Sequence, residues 1–213
     1  GGAFAQAFFS DPQCTHVELV SRGSQSNFDL TNHESISAQA TLSSAKGPYE
    51  IIIDATGAIA INGVGPEKAL HSLRPDQLMQ SFLVNAIGPA MVLRYFSPLL
   101  ANGASVYAKL SARVGSITDN GKGGWYGYRS SKAALNMLLQ TAAIELQRKN
   151  PNLCVVALQP GTVKSKLSEP FINNSVALLE PQESVAGMLG TLRALQPKSG
   201  AYFLDHKGLE IPW

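Results

Sequence analysis

The stretch YEIIIDATG, residues 49–57, decides the fold class, because three isoleucines run unbroken to Asp54 and the run closes on Gly57. A strand with one wet face alternates apolar and polar residues, whereas an unbroken apolar run reads as a strand covered on both faces. Parallel sheets, with crossover helices on both sides, produce such strands. Outward from this stretch, strand-like and helix-like segments alternate. Towards the N-terminus, residues 1–9 read as a helix, THVELV (15–20) as a strand ending in the turn-like SRGSQSN, and FDLTN leads into HESISAQATLSSA (33–45). Towards the C-terminus, residues 75–100 have helical spacing, ASVYAKLSA (104–112) is strand-like, and 126–149 make the longest predicted helix. NLCVVALQPG reads as strand then turn, 182–195 as a last helix, and AYFLDHKGLEIPW as a last strand with a tail. The alternation predicts right-handed βαβ units: an α/β fold, a doubly wound parallel sheet with helices on both faces, in a single domain over 1–213.

The 213 residues are 45% hydrophobic, enough to bury one sizeable core. The formal charge is +2 and no run of lysine or arginine marks a face, which argues against a nucleic-acid or membrane partner. Cys14 and Cys154 lie far apart in apolar, strand-like segments. They read as buried thiols rather than a disulfide or a metal site, and they suit a reducing, cytoplasmic setting. The start GGAFAQAFF is too short to span a membrane and lacks the marks of a signal peptide, so it reads as a helix opening. Because the chain opens on paired glycines running straight into helix, without methionine, further sequence is expected upstream.

Within GGWYGYRSSKAALN (123–136), Tyr128 and Lys132 stand four apart on a predicted helix and so share one face. A tyrosine with its ordinary pKa of about 10 shuttles protons poorly near neutrality. A neighbouring ammonium favours the phenolate, so Lys132 is expected to lower that value and make Tyr128 an acid/base. Such a spacing also arises by chance, and its surroundings are more specific. In chain order the sequence has Gly1, Asp29, Asn85, LSARVGS, Tyr128 with Lys132, and QPGTVKS with Pro160, Gly161 and Ser165. In this order the chain resembles the short-chain dehydrogenase/reductase family. That family carries a glycine-rich dinucleotide turn, an aspartate after the third strand, a helix asparagine, a serine after the fifth strand, Tyr-x-x-x-Lys and a Pro-Gly turn. GGWYGYRSSKAALN and GAYFLDHKGLEIPW are similar to the subgroup of C-factor cell-signalling proteins and sniffer-type carbonyl reductases. The resemblance implies a Rossmann-like sheet and a nicotinamide cofactor. It also implies Tyr128 as proton donor, Lys132 holding the nicotinamide ribose and tuning Tyr128, and Asn85 shaping a kink that supports a proton relay.

The chain departs from the family in several places. Of the Thr-Gly-x-x-x-Gly-x-Gly turn only the last glycine, Gly1, is present, and the preceding strand is absent. Losing a middle strand would leave its neighbours with unpaired backbone groups, which again points to sequence upstream. The turn from Ser21 to Asn27 is also too short for the helix the family has there. DATG (54–57) stands in place of Asn-Asn-Ala-Gly; Ala55, Thr56 and Gly57 read as contacts to the cofactor, or as a plain strand end. Counting back from Gly115, the catalytic serine falls on Ala112. Ser111, one position early, faces the opposite side of a strand and reaches that place only through a register shift or bulge. Ser111 and Ser116 are the candidates to supply the hydroxyl, or they are ordinary turn serines.

Ser21 and Arg22 stand where an acidic residue would select NAD. Arg22 reads as the partner of a 2′-phosphate, favouring NADP(H) over NAD(H), or as a solvated loop residue. Asp29 resembles the family residue beside the adenine ring, or caps the next helix. In the segment 165–180, which resembles the family's substrate cover, Phe171 and Leu167 line a pocket or pack a lid. The reading is an NADPH-dependent reductase of a small carbonyl compound. The alternative is a catalytically weakened nucleotide-binding signalling or regulatory protein on the same scaffold, which Ala112 and DATG favour. Leu135, Leu138 and Leu139, with Leu83, Met91 and Leu99, spread apolar surface round both long helices. That predicts a homodimer through them unless neighbouring elements cover every face. Pro89 lacks the N–H that would bond the Asn85 carbonyl, so a kink is expected there. The freed carbonyl would hold a water facing Lys132, or the kink is merely tolerated.

Overall fold

Four parallel strands follow one another across the sheet in chain order: β1 (Ile51–Asp54), β2 (Ser105–Leu110), β3 (Leu153–Gln159) and β4 (Tyr202–Asp205). The computed structural model describes all residues except 24–26, 166–167 and 172–177. Its register sets Asp54 beside Lys109, Val106 beside Cys154 and Ala157 beside Phe203. Helices α1 (Gly2–Phe9) and α2 (His33–Ser44) precede the sheet. Each step between strands crosses over through helix: α3 (Pro75–Phe82) and α4 (Gly88–Phe96), then α5 (Tyr126–Gln147), then α6 (Pro181–Arg193). Adjacent side chains on a strand face opposite ways, and β3 uses both faces. Leu153, Val155 and Ala157 pack with Leu135, Leu139 and Ala143 of α5, whereas Val156 and Leu158 pack with Met188 and Leu192 of α6 and Phe4 of α1. Helices therefore cover both faces, as the alternation of segments predicts. Burying Leu135 and Leu139, each 1% exposed, contributes about 1.5–3 kcal/mol apiece.

THVELV (15–20) is not a strand. A strand needs a neighbour to complete its backbone hydrogen bonds, and among the described residues this segment has none. Side chains tie it down instead: Glu18 accepts from the Tyr49 hydroxyl and, at 3.0 Å, from Lys46 Nζ. Cys14 consequently lies in an irregular segment while Cys154 is buried, and both thiols are free. The three isoleucines of β1 are half-buried rather than enclosed, because among the described residues β1 is an edge strand. The strand covered on both faces is β3.

The helix expected over 75–100 is interrupted. Between α3 and α4 lies a π turn, Leu83–Ile87, in which the Gly88 N–H donates to the Leu83 carbonyl five residues back. Pro89, with no N–H, cannot carry the four-residue ladder through this point, and the α-helix is interrupted around Asn85 by a π turn where a kink was expected. Pro75–Leu99 is long and apolar enough to cross a membrane by composition. Its Leu93, however, packs into the core under α5, and Val92 and Phe96 pack against Ile36 of α2.

Candidate active site

The start of α5 positions the site. Gly123, Gly124 and Trp125 have φ of 62, 64 and 53°, a left-handed region open to glycine and rarely occupied by tryptophan. Trp125 caps the helix without any side-chain bond to it, and Glu67, from the loop after β1, takes that task. The buried Glu67 carboxylate accepts the Gly127 N–H at 2.9 Å, and the Glu67 carbonyl accepts the Trp125 N–H at 2.5 Å. A negative charge at a helix N-terminus is favoured by the helix dipole. A Cβ on Gly127 would fall 3.0 Å from Glu67 Oε1, so glycine is what admits the carboxylate. Trp125 meets Tyr128 and Phe171 edge-on, with ring centres 6.1 and 5.6 Å apart.

Tyr128, Lys132 and Asn136 follow at four-residue spacing on the buried face of α5. Lys132 Nζ donates to the carbonyl of Leu110, the last residue of β2, at 3.2 Å and lies 5.8 Å from the centre of the Tyr128 ring. Burial pushes the Lys132 ammonium down to about 7; the charge of Lys109 adds to this and Asp54 opposes it. Burial pushes the Tyr128 phenol up to about 12. The expected lowering of Tyr128 is thus reversed. The ammonium is turned to a carbonyl and lies over the ring, and desolvation disfavours the charged form of both groups. The result is a phenol that stays protonated beside a lysine that changes charge near neutral pH.

Asn85, in the π turn, donates Nδ2 to the Ala58 carbonyl and accepts the Ala58 N–H, both at 2.9 Å. Its link to this loop is therefore the side-chain amide, a contact that sequence spacing does not reveal. Gly57, at φ 125°, lies between them: a Cβ there would fall 3.1 Å from Asn85 Oδ1 and 3.3 Å from Lys132 Nζ. Gly57, Asn85, Lys132 and Tyr128 thus gather at the C-terminal ends of β1 and β2, where open parallel sheets bind their ligands. The Thr56 side chain turns inward to Asp54 and Lys109, which leaves main chain at Ala55 and Gly57 for a ligand. Lys109 escapes the sequence reading although a lysine inside an apolar strand was the available signal. Glu67, one carboxylate in a loop, left none.

The serines are placed differently. Ser111, just past β2 and 5% exposed, donates its hydroxyl to Asn136 Oδ1 at 2.6 Å. Ser116 accepts the Asp119 N–H at 3.0 Å. Among the described residues neither hydroxyl bonds to Tyr128 or Lys132. Ala112 is half-buried and extended, leading into the 3-10 turn Arg113–Gly115. That turn packs on Lys132, since a Cβ on Gly115 would fall 2.9 Å from the Lys132 carbonyl carbon.

Gly1 caps α1, its carbonyl accepting the Ala5 N–H at 3.1 Å. Ser21 and Arg22 are exposed. The Thr31 N–H and hydroxyl hold the Asp29 carboxyl below its ordinary range, with the Arg22 charge helping. Asp29 does not cap α2; Asn32 does. The Pro160 carbonyl accepts the Ser184 hydroxyl at 2.6 Å, and Gly161, at φ 79°, has no room for a Cβ against Leu179. The Ser165 and Ser168 hydroxyls are 3.0 Å apart. Leu167 lies outside the described residues. Phe171 and Trp125, with Val64, Pro66 and Pro170, line a cavity of about 670 Å³ beside the start of α5.

A family model described as short chain dehydrogenase matches residues 22–175. C-signal of Myxococcus xanthus is 33% identical over 168 residues, 78% of this chain and 94% of that protein. The 1-hydroxy-2-glutathionyl-2-methyl-3-butene dehydrogenase of Rhodococcus sp. (strain AD45) is 31% identical over 186 residues, 87% of this chain and 78% of that one. A short-chain dehydrogenase/reductase from Burkholderia multivorans with bound NADP superposes with a TM-score of 0.76 at 26% identity, covering 100% of this chain and 82% of that one. The carbonyl reductase Sniffer of D. melanogaster gives 0.82 at 21% identity, covering 100% and 94%, a likeness that speaks for the fold alone. With the family model matched over residues 22–175 and a parallel sheet that brings Tyr128 and Lys132 together at its strand ends, the chain belongs to the short chain dehydrogenase family of oxidoreductases.

Proposed function

We propose that the chain reduces a small carbonyl compound with NADPH, Tyr128 giving the proton to the carbonyl oxygen. The observation that carries this reading is the buried Tyr128–Lys132 pair beside Gly57 and Asn85. When bound, the nicotinamide cofactor supplies the hydride. The residues fit such a group, because Gly57 keeps open the space a Cβ would take next to Lys132 Nζ. Lys132 and the main chain of Ala55, Gly57, Pro160 and Gly161 would hold it, with Gly1, Ser21, Asp29 and Ser165 completing the set. Arg22, exposed, offers a guanidinium to a 2′-phosphate, which favours NADPH over NADH. Burial keeps the Tyr128 phenol in the acid form that reduction requires. A charged Lys132 steadies the phenolate left behind, and Asn85 joins the relay that returns the proton. The reading also places the protein in the cytoplasm, on its free thiols, as a homodimer through α3–α4 and α5.

The test is consumption of NADPH with a panel of aldehydes and diketones. Tyr128→Phe is expected to lose at least about a hundredfold in turnover, the scale of general acid catalysis. Unchanged turnover on an accepted substrate would remove Tyr128 from the chemistry. Arg22→Ala is expected to abolish a preference for NADPH over NADH in a binding titration; equal affinities in the parent remove the argument for NADP. One observation favours a second reading, a nucleotide-binding signalling or regulatory protein: counted back from Gly115 the family's serine falls on Ala112, and among the described residues neither Ser111 nor Ser116 bonds to Tyr128. Tight NADPH binding with no carbonyl consumed would select it.

A further inference from the structure

Beneath the turn Asp54–Gly57 lies a fully buried ion pair. Asp54 ends β1, Lys109 stands beside it in the register of β2, and their side chains are 1% and 0% exposed with Nζ 3.0 Å from Oδ1. The same Nζ donates to the Thr56 carbonyl at 2.6 Å and to Thr56 Oγ1 at 3.1 Å. Asp54 Oδ1 also accepts the Thr56 N–H at 2.9 Å and its hydroxyl at 2.6 Å. Both members of the pair therefore converge on one residue, and the next residue, Gly57, is the one lodged against Asn85 and Lys132. A buried ion pair is a poor source of net stability, since an apolar pair of similar volume serves as well or better. Its place under the site suggests another task.

We propose that Asp54 and Lys109 are positioning residues, which together hold the Thr56–Gly57 turn against Asn85 and Lys132 and set the charge that Lys132 meets. The inference rests on reading Lys132 as the active-site lysine. Among the described residues, the titratable groups facing Lys132 are Tyr128 of its own helix, Lys109 of β2 and Asp54 of β1. Asn85 and the Leu110 carbonyl add uncharged dipoles. Lys109 opposes the Lys132 ammonium and Asp54 supports it, the first effect being the larger. The third group at the pair is Tyr107. Its hydroxyl and Asp54 Oδ2 are buried without a hydrogen bond of good geometry, and burial, helped by the carboxylate, keeps its phenol neutral. Lys132 thus meets one positive and one negative neighbour whose balance the family's asparagine at position 54 would not provide.

The test reads Lys132 without substrate or cofactor. Lysine labelled with ¹³C at Cε is followed by NMR against pH in the full chain, the Lys132 signal being the one lost in Lys132→Arg. Lys109→Met is expected to raise the Lys132 midpoint by at least about half a pH unit and Asp54→Asn to lower it, as neighbouring charges act. Each single change leaves one buried charge without its partner and endangers folding. The double variant Asp54→Asn, Lys109→Met removes both charges and carries the decision, with the midpoint expected to rise because the Lys109 effect is the larger. A folded double variant in which Lys132 titrates as in the parent overturns the proposal, and so does an unshifted midpoint in a folded single variant. If the midpoint moves while no carbonyl compound is ever consumed, the reductase reading fails and the positioning role stands.

Discussion

Lys132 is 3% exposed, and the Leu110 carbonyl accepts from its Nζ. Its pKa is about 7 in the folded chain against an ordinary 10.5. Between these values the unfolded chain binds more protons than the folded one, so stability rises with pH across that window and, for this group, is flat below it. Lys132→Met removes the titrating group. Thermal unfolding between pH 7 and 10 should show the parent gaining on the variant as pH rises; parallel curves would mean the ammonium is not buried in this way. Ala112 carries a second expectation at this scale. Ala112→Ser restores the family's hydroxyl and should raise turnover about tenfold, the worth of one added hydrogen bond to the reacting oxygen. Ser111→Ala should leave turnover near the parent's and cost about 1–2 kcal/mol of stability, because Asn136 Oδ1 loses its donor. Turnover lost in Ser111→Ala would make Ser111 the working hydroxyl after all.

Helix α5, which carries Tyr128 and Lys132, begins on a borrowed cap. Glu67→Ala leaves the first turn of α5 without its acceptor and should lower stability by about 1–2 kcal/mol, read as a shift in denaturant midpoint at constant slope. Glu67→Gln keeps an acceptor and should lose less, and equal losses would show that the charge, not the acceptor, holds the turn. The sequence pattern is enough to find α5 and β3, because the buried face of α5 recurs at helical spacing and β3 is an unbroken apolar run buried on both faces. It misleads at THVELV, whose strand-like pattern has no neighbour to pair with among the described residues. Pro89 announces a break in the helix, but that the break is a π turn depends on how α3 and α4 pack, which the dipeptide does not carry.

On the outer faces, Met79, Ile87, Met137, Leu138 and Ile144 are exposed, while Leu135 and Leu139 are covered by the sheet side. The homodimer proposed through these helices therefore rests on the first group. Sedimentation at micromolar concentration should show a dimer that Met137→Glu with Leu138→Glu converts to monomer; a parent that sediments strictly as a monomer removes the proposal. The fold class and the Tyr128–Lys132 pair were determined by the sequence itself, since both rest on spacings that a chain carries without reference to its neighbours. The partners of those residues were not. Lys109 meets Asp54 across 55 positions and Glu67 meets Gly127 across 60, and no local pattern encodes either contact. The protonation of the pair was likewise decided by tertiary structure. Spacing places an ammonium near a phenol, but the shifts follow from how much water each group loses, and only the packing of α5 on the strand ends determines that.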